Sequence, residues 1–115
     1  MKADISKEDK IKKEIARLKR VFKDIDKNKW QTIENLISTA AFMSVSLKEL
    51  EHIINSTGYV ETYKNGANQT GRKQSEAVKI HIAMTRNYSV IMKQLADLVP
   101  PVREKKSALQ ELRDL

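Results

Sequence analysis

The chain has 115 residues and carries 22 Lys and Arg against 15 Asp and Glu, a formal net charge of +7. The length allows one domain of ordinary size. The absence of cysteine excludes a disulfide framework, a thiolate metal site and a cysteine nucleophile. No apolar run approaches the roughly 20 residues of a membrane span, and the N-terminus is polar, so we expect an intracellular protein. The positive excess favours a polyanionic partner, either nucleic acid or an anionic membrane.

The positive charge is concentrated at the start of the chain. Residues 1–29 hold 11 basic and 6 acidic side chains, a net charge of +5. Residues 30–58 have a net charge of −2, and residues 59–75 have +2. The N-terminal segment is therefore the main basic region, and the segment after Gly58 is a smaller one.

The spacing of apolar residues predicts a first helix over residues 6–25, started by Asp4 or Ser6 as the N-cap. Its apolar residues recur at intervals of four and three and form one narrow seam, which suits helix packing better than insertion into lipid. We interpret the cations on its other faces as candidate phosphate contacts: Lys12, Lys13, Arg17, Lys19, Arg20, Lys23 and Lys27. The alternatives are an ordinary solvated face or a membrane-surface helix.

A second helical stretch is predicted over residues 29–56, ending at Gly58. It is apolar nearly all round in its middle, which indicates the buried centre of the fold. Ser46 and Glu49 fit a capping box, so the stretch is either one long helix or two helices broken near Ser44. We favour a continuous helix.

Residues 59–74 are predicted as a polar connector, with short extended pieces at most over residues 59–63. Ser75 then caps a third helix to about Val99, and Pro100-Pro101 ends it. Residues 102–115 alternate charge and leucine, which suits a short amphipathic helix that forms when docked.

These elements predict an all-α fold with three main helices, or four if the central one breaks, and a polar connector before the last helix. We divide the chain into a basic N-terminal helix (1–28), a central helical oligomerisation region (29–99) with the connector at 59–74, and a C-terminal tail (100–115). A chain this short buries roughly 60–65% of its surface. We therefore expect the narrow seams to be completed by neighbouring copies in a homo-oligomer.

No pattern in the sequence indicates catalysis, a metal site or a cofactor. His52 and His81 belong to different helices without a second ligand at helical spacing, so zinc is unsupported. We interpret His81 as a packing histidine with a satisfied ring. A phosphate-binding loop and a nucleophile elbow are both missing. We predict a protein that is not an enzyme.

The connector combines amides, glycines and cations within thirteen residues. Asn65-Gly66 is a strong turn signal. Asn, Gln and Arg are also the side chains that contact base edges and phosphates. Two interpretations of the connector remain open. It is either a solvated loop or a second nucleic-acid contact formed by Asn65, Asn68, Gln69, Arg72 and Lys73.

The connector resembles the signature of small phage terminase subunits, the short-chain family of phages and prophages. The matching pattern is Tyr63-x-Asn65-Gly66-x-Asn68-Gln69-x-Gly71-x-Lys73-x-Ser75. Weaker agreement extends over residues 10–101. It comprises Lys13-Glu14-Ile15-x-Arg17-Leu18, Ala40-Ala41-Phe42-Met43, Leu47-x-x-Leu50-x-x-Ile53-Ile54-Asn55, Asn87-Tyr88 and Lys93-Gln94-Leu95 before Pro100-Pro101.

The resemblance implies a role in viral DNA packaging and virion assembly. Small terminase subunits form rings, recognise the packaging start site on double-stranded DNA, and recruit and regulate the large subunit, which is the ATPase and nuclease. The implied location is the host cytoplasm, without a membrane partner. Relatives often end in an acidic tail, whereas this chain continues with Arg103-Glu104-Lys105-Lys106; the tail is still the expected contact with the large subunit.

Two other functions remain open from the sequence. The first is a dimeric helix-turn-helix regulator, although the predicted turn at residues 26–29 contains no glycine. The second is a membrane-surface or structural coiled-coil protein.

Overall fold

The computed structural model describes residues 5–67, 69–99 and 110–114. The elements are α1 (Lys7–Val21), α2 (Lys27–Thr57), β1 (Val60–Lys64), β2 (Thr70–Gln74) and α3 (Glu76–Asp97). Residues 110–113 form a further helical turn, called here the C-terminal turn. The predicted class, all-α with three main helices, is confirmed, and a small β-hairpin is added to it.

Helix α1 starts where the sequence predicts and ends earlier. The Ser6 side chain accepts a hydrogen bond from the Asp9 amide at 3.1 Å, and the helix ends at Val21 with Phe22 as the C-cap. The prediction to residue 25 was too long because Asp26 is the N-cap of α2 and needs extended backbone there. The chain must therefore leave the helical conformation before it.

Helix α2 is one continuous helix of 31 residues, as favoured from the sequence. It stops at Gly58, whose φ of +85° is readily reached by glycine. Ser46 lies inside the helix and is buried, so the capping-box signal is not used. Packing of the surrounding apolar residues against both α1 and α3 outweighs this local signal.

The connector forms an antiparallel hairpin whose pairs run from Val60↔Gln74 to Lys64↔Thr70. The sequence predicted short extended pieces on the first side only, because β2 has no apolar alternation. The hairpin is closed by Gly66 at φ +93° and by the Asn65 amide, which donates to the Gln69 carbonyl at 2.8 Å. Tyr63 lies across from Gly71.

The core lies where all three helices and the C-terminal turn meet. Its buried members are Leu18, Val21, Phe22, Ile33, Ile37, Ala40, Leu95, Val99 and Leu112. The tail prediction is confirmed for the described part, since residues 110–113 are helical and Leu112 is only 5% exposed. Leu109 and Leu115, the other tail leucines, and Pro100-Pro101 lie outside the described residues.

The molecule is elongated, 65 × 37 × 24 Å, because α2 extends past the core. The last turns of α2, the hairpin and the first turns of α3 form what we call the distal end. Large apolar side chains are exposed there: Ile53, Tyr59, Val60, Tyr63, Ile80 and Ile82. A single copy of the chain leaves this apolar surface in contact with water.

Candidate nucleic-acid interface

A basic groove lies between α1 and α2, which run antiparallel. Two ion pairs establish the direction: Lys7 Nζ lies 2.8 Å from Glu49 Oε1, and Lys19 Nζ lies 3.8 Å from Glu34 Oε2. The groove encloses about 650 Å³. It is lined by Lys10, Lys13, Glu14, Ala16, Arg17, Arg20, Ser44, Val45, Lys48, Glu49 and His52.

The helical repeat brings the α1 cations into the groove. Lys10, Lys13, Arg17 and Arg20 are spaced by three and four residues and therefore share one face of the helix. That face lies beside the apolar seam that packs on α2, so it borders the groove. Lys48 reaches the same groove from α2.

The groove has an excess of cations that its own carboxylates do not neutralise. Glu14 accepts from Arg17 Nε at 3.0 Å, and Glu49 pairs with Lys7. The other cations have no ion pair with another described residue; they are Lys10, Lys13, Arg20 and Lys48. Four positive charges on one concave surface attract a polyanion.

Arg17 is fixed more firmly than its neighbours. It is half-buried, holds Glu14 through Nε, and donates from Nη1 to the backbone carbonyl of Glu111. Its guanidinium therefore connects the groove to the C-terminal turn. This role reduces its freedom to contact a phosphate.

The structure divides the predicted α1 contacts into two groups. Lys13, Arg17 and Arg20 line the groove. Lys12, Lys19, Lys23 and Lys27 lie outside it. The placement of the last two on the first helix was wrong, because α1 ends at Val21: Lys23 follows its C-cap, and Lys27 is the first residue of α2. Lys19 forms an ion pair with Glu34 and lies 6.0 Å from the Trp30 ring centroid.

The predicted hairpin contacts form a separate site. Asn65, Gln69 and Arg72 are exposed, and Asn68 lies outside the described residues. Lys73 Nζ lies 3.1 Å from Glu76 Oε1 and 3.4 Å from Glu61 Oε1. A small cavity at the hairpin loop is lined by Tyr63, Asn65, Gln69 and Thr70, and none of these residues lines the groove.

The ion cluster at Lys73 fastens the hairpin to α3. The hydrogen bonds to Glu76 and then to Glu61 raise the pKa of Lys73 above its usual value. The bond from Lys73, followed by the charge of Lys79, lowers the pKa of Glu76. The charge of Lys73 is therefore already paired with carboxylates of its own chain.

Sequence reasoning missed three basic residues of the groove, namely Lys10, Lys48 and His52. Lys10 shares the helical spacing of Lys13 and Arg17 and could have been included on that basis. Lys48 is the only Lys or Arg between residues 30 and 58. Its position opposite α1 depends on how the two helices pack.

The histidines and acids do not form a metal site in the described part of the chain, where no group of three or more His, Cys, Asp or Glu could hold an ion. His81 Nε2 lies 3.1 Å from Glu51 Oε2, so the ring has a partner as expected, but the side chain is 27% exposed and lies outside the buried core. None of the described helices is long and apolar enough to cross a membrane.

Comparison with known proteins adds no relative: no family model, curated protein or solved structure matches this chain. Functional inference therefore rests on the residues and geometry described above.

Proposed function

We propose that the chain is a small terminase subunit, a non-catalytic adaptor that binds double-stranded viral DNA and recruits the large terminase ATPase-nuclease for genome packaging in the host cytoplasm. The observation that carries the proposal is the basic groove between α1 and α2. The terminase assignment itself rests on the resemblance of the connector.

The groove suits the sugar-phosphate backbone better than the bases. Its free charges are Lys10, Lys13, Arg20 and Lys48, and no Phe, Tyr or Trp lies among its lining residues for base stacking. If each of the four neutralises one phosphate, the log of the binding constant falls with the log of salt concentration at a slope of about −4. Exposed cations outside the groove, such as Lys12 and Lys23, would add to this slope.

Exposed apolar surface supports assembly into a homo-oligomer, for which the resemblance suggests a ring. The distal end exposes six large apolar side chains, and Tyr59 is 71% exposed. Exposed apolar side chains that gather at one end of a fold favour contact with another protein surface. Light scattering should show an oligomer at micromolar concentration, and a stable monomer would contradict the ring.

The decisive experiment is a salt series of duplex DNA binding. The variant Lys13→Glu/Arg20→Glu reverses two charges in the groove. Its matched control is Lys29→Glu/Arg86→Glu, which also reverses one exposed Lys and one exposed Arg, outside the groove. We expect the groove variant to weaken binding at least tenfold and to reduce the slope by about 2, and the control to do much less.

Two outcomes would count against the proposal. Unchanged affinity of Lys13→Glu/Arg20→Glu would remove α1 from the DNA surface. Equal losses in both variants would show that binding follows net charge and not the groove. A palindromic footprint with two protomers would instead favour the helix-turn-helix regulator, although the 31-residue α2 gives that alternative no short recognition helix.

A further inference from the structure

A second cavity lies next to the basic groove, between α2, α3 and the C-terminal turn. It encloses about 500 Å³, within the range of pockets that hold a ligand. Its apolar wall is formed by Leu47 of α2, Met92 and Ala96 of α3, and Leu112. We call this cavity the tail pocket because the C-terminal turn forms one wall.

The charged residues of the tail pocket are mostly basic and come from three different elements. Lys48 belongs to α2, Lys93 to α3 and Arg113 to the C-terminal turn. None of the three has an ion pair with a residue in the described ranges. Glu51, the carboxylate in the wall, already lies 3.1 Å from His81 Nε2. The cavity therefore combines an apolar wall with a positive rim.

A buried hydroxyl group also borders this cavity. Tyr88 lines the tail pocket, and its hydroxyl oxygen is buried without a hydrogen-bond partner among the described residues. Burial raises the pKa of the Tyr88 hydroxyl, with Ser44 acting in the opposite direction. The hydroxyl therefore stays protonated at neutral pH, and its oxygen has almost no surface that a ligand in the tail pocket could reach.

We propose that the tail pocket binds an acidic peptide segment of a partner protein, with an apolar side chain against Leu47, Met92 and Leu112. Carboxylates on either side of that side chain would meet Lys48, Lys93 and Arg113. The charge complementarity of the rim selects an acidic segment, and the separation of the cations onto three elements favours an extended chain with several carboxylates.

Nucleic acid fits the tail pocket poorly. Its wall of Leu, Met and Ala would desolvate a phosphate without compensating it. The basic groove, by contrast, has charged side chains along its length. Ser44 and Lys48 line both cavities, so the peptide and a phosphate backbone would share Lys48. The peptide site itself does not depend on the proposed function.

The test uses fluorescence anisotropy with the full chain and a labelled synthetic peptide that has leucine and phenylalanine between runs of aspartate. One control peptide has lysine for aspartate, and a second has serine for the apolar pair. The variant Lys93→Glu removes a rim charge at an exposed position, and Lys29→Glu is the matched charge control. Tyr88→Phe removes the unpaired hydroxyl.

We expect saturable binding of the acidic peptide and much weaker binding of both control peptides. Lys93→Glu should weaken it about fivefold, the scale of one exposed ion pair, with less than a twofold effect of Lys29→Glu. Tyr88→Phe should leave peptide binding nearly unchanged, because the hydroxyl oxygen that it removes is buried.

Several results would overturn the proposal. One is the absence of saturable binding of the acidic peptide, and another is binding of the serine peptide that is as tight as binding of the acidic peptide. Equal effects of Lys93→Glu and Lys29→Glu on peptide binding would also contradict the proposed site. A loss of duplex DNA affinity in Lys93→Glu as large as the loss for the peptide would also overturn it, because the pocket would then belong to the DNA surface.

Discussion

The burial of Leu112 makes the C-terminal turn part of the core, and the variant Leu112→Ala measures how much it contributes. Leu112 is 5% exposed and belongs to the same cluster as Phe22 and Leu95. Truncation of a buried leucine to alanine costs about 2–5 kcal/mol, depending on how large a cavity remains. Here the space opens into the tail pocket, where water can enter. We therefore expect the lower part of the range, about 2–3 kcal/mol.

The measurements are urea unfolding and thermal unfolding, both followed by circular dichroism and by the fluorescence of Trp30. Trp30 is the single tryptophan and packs against this core. The melting temperature should fall by about 10 °C, at roughly 4 °C per kcal/mol for a chain of this size. Glu111→Ala is the matched control. Its side chain is exposed, and its backbone carbonyl still accepts from Arg17, so it should change stability by less than about 0.5 kcal/mol.

The comparison of the two variants is what tests the packing. If Leu112→Ala were as stable as Glu111→Ala, residue 112 would not contribute to the core, and the docking of the C-terminal turn would be wrong. If both variants lost 2 kcal/mol or more, the loss would not be specific to the burial of the Leu112 side chain.

Two further predictions concern the hairpin. A Cβ on Gly71 would lie 2.6 Å from Cζ of Tyr63, so Gly71→Ala should displace the ring and lower the stability by about 1 kcal/mol. A double-mutant cycle with Tyr63→Ala should show a coupling of at least about 0.5 kcal/mol between the two positions. Additive effects of the two substitutions would contradict this contact. Lys73 and Lys79 hold the pKa of Glu76 below its usual 4.5, so its contribution to stability is present above pH 4.5 and is lost as the pH falls through the lowered pKa. NMR titration of Lys73→Met should show the Glu76 pKa moving up toward 4.5, and an unchanged pKa would refute the ion cluster.

The helices could be predicted from the sequence because their signals are local. Ser6 and Ser75 cap α1 and α3 as expected, and Gly58 ends α2. The second strand could not be predicted from the sequence, because Thr70–Gln74 has no alternation of apolar and polar residues. This strand forms because the turn at Gly66 brings it alongside β1. Local signals also misled at Ser46, where long-range packing keeps α2 continuous.

The basic groove was only half predictable. The α1 cations follow from helical spacing, whereas Lys48 enters the groove because α2 packs antiparallel to α1. Lys73 is likewise not available for a nucleic-acid contact, because it forms ion pairs with Glu61 and Glu76, which the hairpin brings together. Charge counting identifies cations, and the fold decides which of them remain unpaired.

The residues that carry the terminase resemblance have a structural explanation in the hairpin. Tyr63 packs on Gly71, Asn65 and Gly66 form the turn, and Ser75 caps α3 with its hydroxyl 3.1 Å from the Val78 amide. A pattern of this kind specifies how the hairpin is built and joined to α3. The resemblance and the proposed DNA-binding surface are therefore separable, which makes the α1–α2 groove the first place to test for DNA contact. The exposed Gln69 and Arg72 remain the hairpin positions where a base or phosphate contact would require no rearrangement of the fold.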